Sequence, residues 1–282
     1  MLANTSNTGP VLITGCSSGL GHASACLFRE AGYVTVATAR DPARLADLKT
    51  RGCDTITLDV TDAASRASAI AEVERRHGAV GVLINNAGYG QYGPLEEIPL
   101  DEIRLTFETN VFGLIGMSQL VLPGMRKAGR GRIVNISSVA GRVSTPGGGV
   151  YHMSKYCVEA AADALRPEVA PFGIDVVNVL PGPFVSAYRG KLLHSMPDTG
   201  QGSPYLVFKR NLGAWMQDFL EPGAFGVLTS AEVARVVFKA GTARRPRSRY
   251  YAGFTARWGP VGRALAPDRL VDFFMRRQIP PK

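Results

Sequence analysis

The sequence predicts an α/β fold, a doubly wound parallel sheet in three α/β/α layers. Three observations lead there. Short β-branched runs alternate with longer helical patterns, as strands joined by helical crossovers do. Several of these runs are apolar without alternation, which burial on both faces requires. The composition, 45% apolar and 20% charged over 282 residues, is that of a globular chain with a sizeable core. No internal repeat or low-complexity linker divides it, so residues 1–282 are read as one domain.

Taken in order, Val11–Thr14 reads as a strand ending in a glycine-rich turn, and Leu20–Glu30 as the helix after it. Tyr33–Thr38 is a second strand, Pro42–Thr50 a short helix, Thr55–Leu58 a third strand and Ala63–His77 a helix. Val80–Ile84 and Arg132–Ile136 are the fourth and fifth strands, separated by a long helix starting near Leu100. A helix over Tyr151–Ala170 leads to a sixth strand, Asp175–Val179. These elements make residues 10–182 the core. Then the rhythm breaks. Phe184–Phe225 is rich in Gly and Pro, yet carries Tyr188, Tyr205, Phe208, Trp215 and Phe219. It reads as an irregular apolar lid spanning residues 183–230. The alternative is a satellite cluster under a long loop.

The formal net charge is +9, and its distribution matters more than its size. Residues 1–238 hold 21 basic and 21 acidic side chains; residues 239–282 hold 11 basic and 2 acidic. The body is therefore neutral, and the excess sits in a basic C-terminal extension. There Arg249–Ala252 reads as a closing strand. Pro267–Arg277 reads as a short amphipathic helix with Leu270, Val271, Phe273 and Phe274 on its apolar side. The extension is read as a solvated face, with weak peripheral contact to an anionic membrane as the sharper alternative. No nucleic-acid recognition motif accompanies the charge. Cys16, Cys26, Cys53 and Cys157 share no C-x-x-C spacing and no His cluster, so neither metal site nor disulfide framework is expected. Reduced thiols suit the cytoplasm. The N-terminus, MLANTSNTGP, shows no signal-peptide pattern. The most apolar stretch, Val111–Met125, is interrupted by Ser118, Gln119 and Pro123 and is too short and too polar to span a bilayer.

Three motifs carry chemistry. Thr14-Gly15-Cys16-Ser17-Ser18-Gly19-Leu20-Gly21 follows a strand and opens a helix. There, glycines let backbone approach a pyrophosphate, the helix start favours its charge, and Ser17 and Ser18 add hydroxyl donors. The second strand ends at Ala39-Arg40. Ala39 offers no carboxylate for a free ribose 2′-hydroxyl, whereas the Arg40 guanidinium suits a 2′-phosphate, so NADP(H) is favoured over NAD(H). A surface pair of Arg40 with Asp41 is the plain alternative. Asp59 and Val60, after the third strand, suit an adenine; Asp59 could equally cap the next helix. The last motif is Ser138 with Tyr151 and Lys155. The latter two are four apart, on one helical face. A neighbouring ammonium lowers a phenol's pKa and makes it a better proton carrier.

With these residues in view, the chain resembles the short-chain dehydrogenase/reductase family, in the subset similar to hydroxysteroid and retinol dehydrogenases. The pieces are T-G-C-S-S-G-L-G at 14–21, L-D-V at 58–60, N-N-A-G at 85–88 and N-V-F-G at 110–113. They continue with I-V-N-I-S-S at 133–138, Y-H-M-S-K at 151–155 and P-G-P-F-V-S at 181–186. The resemblance implies a Rossmann-type sheet and a homo-oligomer. It implies Tyr151 as general acid in reduction and base in oxidation, and Lys155 lowering the phenol's pKa and holding the nicotinamide ribose. Ser138 would orient the substrate oxygen, and Asn110 would help hold a water relay. Gly15, Ser17, Ser18, Gly19, Leu20, Arg40, Asp59, Val60, Asn86, Ala87, Gly88, Pro181, Gly182 and Val185 would line the cofactor. Serine at 186, where the family often has threonine, keeps the hydroxyl. The expected activity is NADP-dependent interconversion of a lipophilic alcohol and its carbonyl. An NADPH-binding sensor without turnover, or an isomerase on the same fold, is the rival.

Overall fold

The computed structural model describes residues 9–185, 195–198, 200 and 202–281. Ser186 and Tyr188, which the sequence reading singled out, lie outside them. Among the described residues a seven-stranded sheet runs β3-β2-β1-β4-β5-β6-β9, with every neighbour parallel. Its strands are β1 Val11–Ile13, β2 Thr35–Ala39, β3 Asp54–Thr57, β4 Val82–Asn85, β5 Gly131–Ile136, β6 Ile174–Pro181 and β9 Arg249–Ala252. The chain winds outward from β1 to β3, then crosses back to β4, so the order reverses between β1 and β4. A second, two-stranded sheet pairs β7 Phe184–Val185 with β8 Leu228–Thr229.

The period of two sorts each strand's side chains between two cores. Val11 and Ile13 of β1 join Phe28, Leu48, Val233 and Val237 on one face. Leu12 joins Val73, Met117, Val121 and Ala162 on the other. The first face is covered by α1 (Gly19–Glu30), α2 (Ala46–Thr50) and α8 (Ser230–Thr242). The second is covered by α3 (Ala63–His77), α5 (Gly113–Ala128) and α6 (Gly149–Val169), with α4 (Leu100–Phe107) leading into α5. Phe28 is fully buried and meets Tyr33 edge-on at 5.6 Å. Gly241 of α8 lets α8 approach it: a Cβ there would stand 2.8 Å from the Phe28 ring.

Helix ends follow local chemistry. Asp62 caps α3, its Oδ1 accepting from Ala64 N at 2.9 Å. Gly78 stops it at φ +76°. Thr229 and Glu232 form a reciprocal capping box at the start of α8.

Three expectations change. The segment read as irregular contains a 14-residue helix, α7 (Leu206–Phe219). Phe208, Leu212 and Met216 recur at helical spacing and bury together with Ile279, so tertiary packing outweighs the flanking glycines. The apolar stretch Val111–Met125 is only part of one continuous helical run, Leu100–Ala128, which by length and apolarity could cross a membrane. Half of its apolar window is packed inside the fold, which explains its composition. The extension holds two helices, α9 (Phe254–Leu265) and α10 (Asp268–Gln278), where one was expected.

Candidate active site

All the strand ends that matter open on one edge. Gly15 follows β1, Arg40 follows β2, Asp59 follows β3, Asn86 follows β4, Ser138 follows β5 and Gly182 follows β6. That edge, at the strands' C-terminal ends beside the β1–β4 reversal, is where open α/β sheets bind ligands.

The glycine loop is a tight cradle. Gly15 takes φ +73° and a Cβ there would sit 2.9 Å from Ala87 Cα. A Cβ on Gly21 would stand 2.4 Å from Gly15 O and 2.5 Å from Asn86 Nδ2. Thr14 Oγ1 accepts from Asn86 N at 3.0 Å and Ala87 N at 2.9 Å, and Asn86 Nδ2 donates to Thr14 O at 2.8 Å. The β1 and β4 loops thus hold each other. Ser18 stands at the N-cap of α1 without capping it, and no acidic residue lies in the first turn. This start of α1, with Gly19 and the buried Leu20 in its first turn, fits an anionic group. Ser17 is half-buried beside it.

Arg40 is exposed. The pair with Asp41 does not form; the Asp41 carboxylate instead accepts from Ala43 N at 3.0 Å. Asp59 does not cap α3. Its Oδ1 accepts from Thr61 N and Thr61 Oγ1 at 2.9 and 2.8 Å. Val60 is buried, its carbonyl taken by Arg66 at 2.6 Å. Beyond β6, a Cβ on Gly182, next to Pro181, would meet Thr255 Oγ1 at 2.4 Å. That hydroxyl is buried without a hydrogen-bond partner among the described residues. The Val185 carbonyl accepts from Ser230 Oγ at 3.0 Å.

On α6, Lys155 is buried, and its Nζ donates to Ile136 O at 2.8 Å. Nζ stands 5.7 Å from the Tyr151 ring centroid. Burial lowers the Lys155 pKa to about 8, opposed by the negative charge of Glu159 one turn on. Tyr151 goes the other way from the sequence expectation. Desolvation raises its phenol, and the hydrogen bond from Ser138 works against that rise. The physical reason is that the Lys155 ammonium is turned to the β5 carbonyl and is itself disfavoured by burial. Ser138 caps the short turn Val139–Gly141, its Oγ accepting from Ala140 N at 3.1 Å.

Asn110 lies in a π turn, Glu108–Phe112, between α4 and α5. It is buried, with Oδ1 accepting from Tyr89 N at 3.0 Å and Nδ2 donating to Tyr89 O and Ser154 Oγ at 2.8 and 3.0 Å. Its side chain therefore clamps the loop after Gly88 to α6. A Cβ on Gly88 would meet Asn110 Oδ1 at 2.9 Å.

Sequence reasoning missed three features. Tyr92 faces Tyr151 with ring centroids 5.7 Å apart, and packs against the Phe208–Leu212–Met216 cluster of α7. His152 is buried, its Nδ1 accepting from Thr145 N at 3.0 Å, and desolvation lowers its pKa to about 4. A row of buried amides crosses the sheet: Asn85 Nδ2 to Asn135 Oδ1 (3.0 Å), Asn135 Nδ2 to Asn178 Oδ1 (3.2 Å), Asn178 Nδ2 to Glu159 Oε1 (2.7 Å). Arg249 of β9 closes it, with Nε 2.7 Å from Glu159 Oε2. Asn85 ends β4 and Asn135 is next to last in β5, a signal the sequence does carry, whereas Asn178 stands mid-strand in β6.

His22, Cys26 and Asp47 bring possible metal-ligating atoms within 4.8 Å of one another. Asp47 faces the His22 Nε2 at 2.9 Å, whereas Cys26 faces Nδ1 at 3.8 Å. The two ring nitrogens point apart, and Arg51 also holds Asp47 at 2.9 Å, so the cluster is not shaped around one ion.

Comparison with known proteins agrees with the fold. A family model described as short chain dehydrogenase matches residues 10–196. The chain is 41% identical over 178 residues to a 3-ketodihydrosphingosine reductase of Bacteroides thetaiotaomicron, covering 63% of this chain and 65% of that protein. It is 32% identical to an NADPH-dependent 3-dehydrocapnine reductase of Ornithobacterium rhinotracheale, covering 93% and 94%. It is also 32% identical to retinol dehydrogenase 5 of Mus musculus, covering 96% and 88%. A crystal structure of a short-chain dehydrogenase from Streptomyces avermitilis superposes with a TM-score of 0.79 at 32% identity, over 96% of this chain and 97% of that one.

Proposed function

The chain belongs to the short-chain dehydrogenase/reductase family, and from that premise we propose an NADP-dependent oxidoreductase acting on a lipophilic carbonyl or alcohol. The observation that carries the reading is the meeting of Ser138, Tyr151 and the buried Lys155 beside the glycine cradle. When bound, the nicotinamide cofactor supplies or accepts the hydride.

The residues' work follows from their state. A phenol raised by desolvation holds its proton at neutral pH, so Tyr151 is set to donate it to a carbonyl oxygen. Ser138 donates a hydrogen bond to the same oxygen as charge develops there. Lys155 is tethered to Ile136 O and carries a charge near neutrality, so it recharges the phenol and holds ribose hydroxyls. Asn110 keeps the loop after Gly88 against α6. The start of α1 with Gly15, Gly19, Ser17 and Ser18 holds the pyrophosphate, and Asp59 and Val60 the adenine. Asn86, Ala87, Pro181, Gly182 and Val185 frame the nicotinamide side.

Arg40 supports NADP, since it is exposed at the end of β2 with Asp41 engaged elsewhere. The NADPH dependence of the 3-dehydrocapnine reductase supports it too. A lipophilic substrate is supported by Tyr92, which joins Tyr151 to the apolar cluster under α7. The long-chain ketone in the name of the 3-ketodihydrosphingosine reductase agrees. On this reading residues 183–230 are the substrate lid of a single domain. Exposed Leu105, Phe112, Met153 and Tyr156 on α4–α6 suit a homo-oligomer, and four free cysteines suit the cytoplasm.

The test is NADPH consumption across ketones of increasing chain length. Tyr151→Phe is expected to lose at least about a hundredfold in turnover while still binding NADPH. Arg40→Ala is expected to raise KM for NADPH roughly tenfold and leave NADH unchanged. Unchanged carbonyl reduction in the phenylalanine variant, or better rates on small polar sugars, would overturn the reading.

A further inference from the structure

The basic extension is the motif the proposed activity does not absorb. Its two helices are almost unpacked. Among the described residues α10 buries no side chain, and α9 buries only Ala256. Yet both carry apolar stripes. On α9, Phe254, Trp258, Val261 and Leu265 recur on one face and are exposed by 58, 51, 46 and 81%. On α10, Leu270, Phe273 and Phe274 share a face and are exposed by 46, 57 and 51%. Only Val271 and Met275 of its apolar residues are partly covered, so α10 rests on the protein by a narrow edge and turns its aromatics outward. Water alone does not favour that arrangement.

The charges say what covers it. Residues 254–278 hold five arginines and two aspartates, a net +3. Arg277 shares the face of Phe273 and Phe274, and Arg269 and Arg276 flank Phe273; with Asp272 they line one surface cleft. Arg257 lies 5.6 Å over the Trp258 ring, which places a cation and an interfacial aromatic together. A second copy of the chain would set these arginines against their own kind. An anionic phospholipid surface neutralises them while taking the aromatics into its headgroup layer.

We propose that α9 and α10 form a docking surface for anionic phospholipid bilayers. The surface is held at its joint and at its C-terminal end. Arg263 pairs with Asp268 across the joint between the helices at 2.5 Å. Past α10, Ile279 buries itself among Phe208, Leu212 and Met216 of α7, and Asn211 Nδ2 donates to Pro280 O at 2.9 Å. A helix lying on a bilayer is thereby held directly to the helix beside the candidate active site. The inference does not rest on the reductase reading, since binding is measured without cofactor or substrate.

Flotation of the full chain with vesicles decides it. Vesicles of phosphatidylcholine and phosphatidylglycerol in equal parts are expected to carry the protein, and phosphatidylcholine alone to leave it behind. Joint Phe273→Glu and Phe274→Glu is expected to abolish flotation. Joint Arg269→Gln, Arg276→Gln and Arg277→Gln is expected to weaken binding on the order of a hundredfold and remove its salt sensitivity. An unchanged melting temperature and an unchanged far-ultraviolet circular dichroism spectrum confirm that each variant is folded. No flotation of the wild type, equal flotation of the variants, or a fall in molar mass of the glutamate variant in vesicle-free buffer overturns the proposal. The last result assigns the face to a second copy.

Discussion

Arg249→Met tests how the extension supports the body. Glu159 is only 4% exposed on α6, so its carboxylate depends on its partners. It has Asn178 Nδ2 at 2.7 Å and Arg249 Nε at 2.7 Å, with Arg142 farther off at 4.0 Å. Methionine fills much of arginine's volume but removes the near cation. Removing one partner of a buried pair costs about 3–5 kcal/mol. Arg142 can close part of the gap, which argues for about 3 kcal/mol. Asp163 also loses Arg249 at 2.6 Å, but it keeps Arg166 at 2.9 Å and is half exposed, so its loss adds little. At about 2–4 °C per kcal/mol the melting temperature should fall by roughly 6–12 °C. Thermal unfolding followed by circular dichroism measures it. Joint Arg249→Met and Glu159→Gln should recover most of the loss, because no charge is then left buried. A single variant within a degree of wild type, or a double variant as unstable as the single, refutes the reasoning.

Two further outcomes can be measured. His152 titrates at about 4 in the fold against 6.5 in an unfolded chain, so the unfolded state takes up the proton first on acidification. Stability should therefore be full above pH 6.5 and fall as pH drops from 6.5 to 4, by about 3 kcal/mol. His152→Gln should flatten that slope in urea titrations at stepped pH, and an unaltered slope would assign it elsewhere. Gly147 holds φ +77°, and a Cβ there would stand 2.3 Å from Leu212 Cδ2 of α7. Gly147→Ala should cost about 1–2 kcal/mol in backbone strain and displace α7, raising KM for long-chain ketones more than for short ones. Equal shifts for both would separate α7 from substrate binding.

Much of this architecture was legible because local and global signals agree. Ala63–His77 was read to the residue, because Asp62 caps it and Gly78 ends it. The seven strands of the main sheet were read to within a few residues, several of them from unbroken apolar runs, whereas the two-residue β7 and β8 were not read. The helix α8 was readable and overlooked: Thr229 and Glu232 spell a capping box. The helix α7 was hidden because its case rests on Leu212 and Met216 meeting Ile279, 67 and 63 residues away. At the candidate site, the glycine loop and the Tyr151–Lys155 spacing are local and stood out. The Lys155 bond to Ile136, the Tyr92 ring over Tyr151 and the pairing of Glu159 with Arg249 exist only once distant segments are brought into register.

The buried amide row has a direction. A carboxylate only accepts, so Asn178 must turn its NH2 toward Glu159 and its oxygen toward Asn135. Asn135 must then do the same toward Asn85, like compass needles aligned by one pole. Every amide in the row is thereby denied its flipped form, although each alone is symmetric in shape. The misfit is driven to the far end, where Asn85 Oδ1 is buried without a partner among the described residues. The carboxylate on α6 thus sets Asn178 and Asn135, and at the far end Ser118, whose hydroxyl donates to Leu114 O, takes the Asn85 amide in the same sense, leaving the row's spare acceptor there.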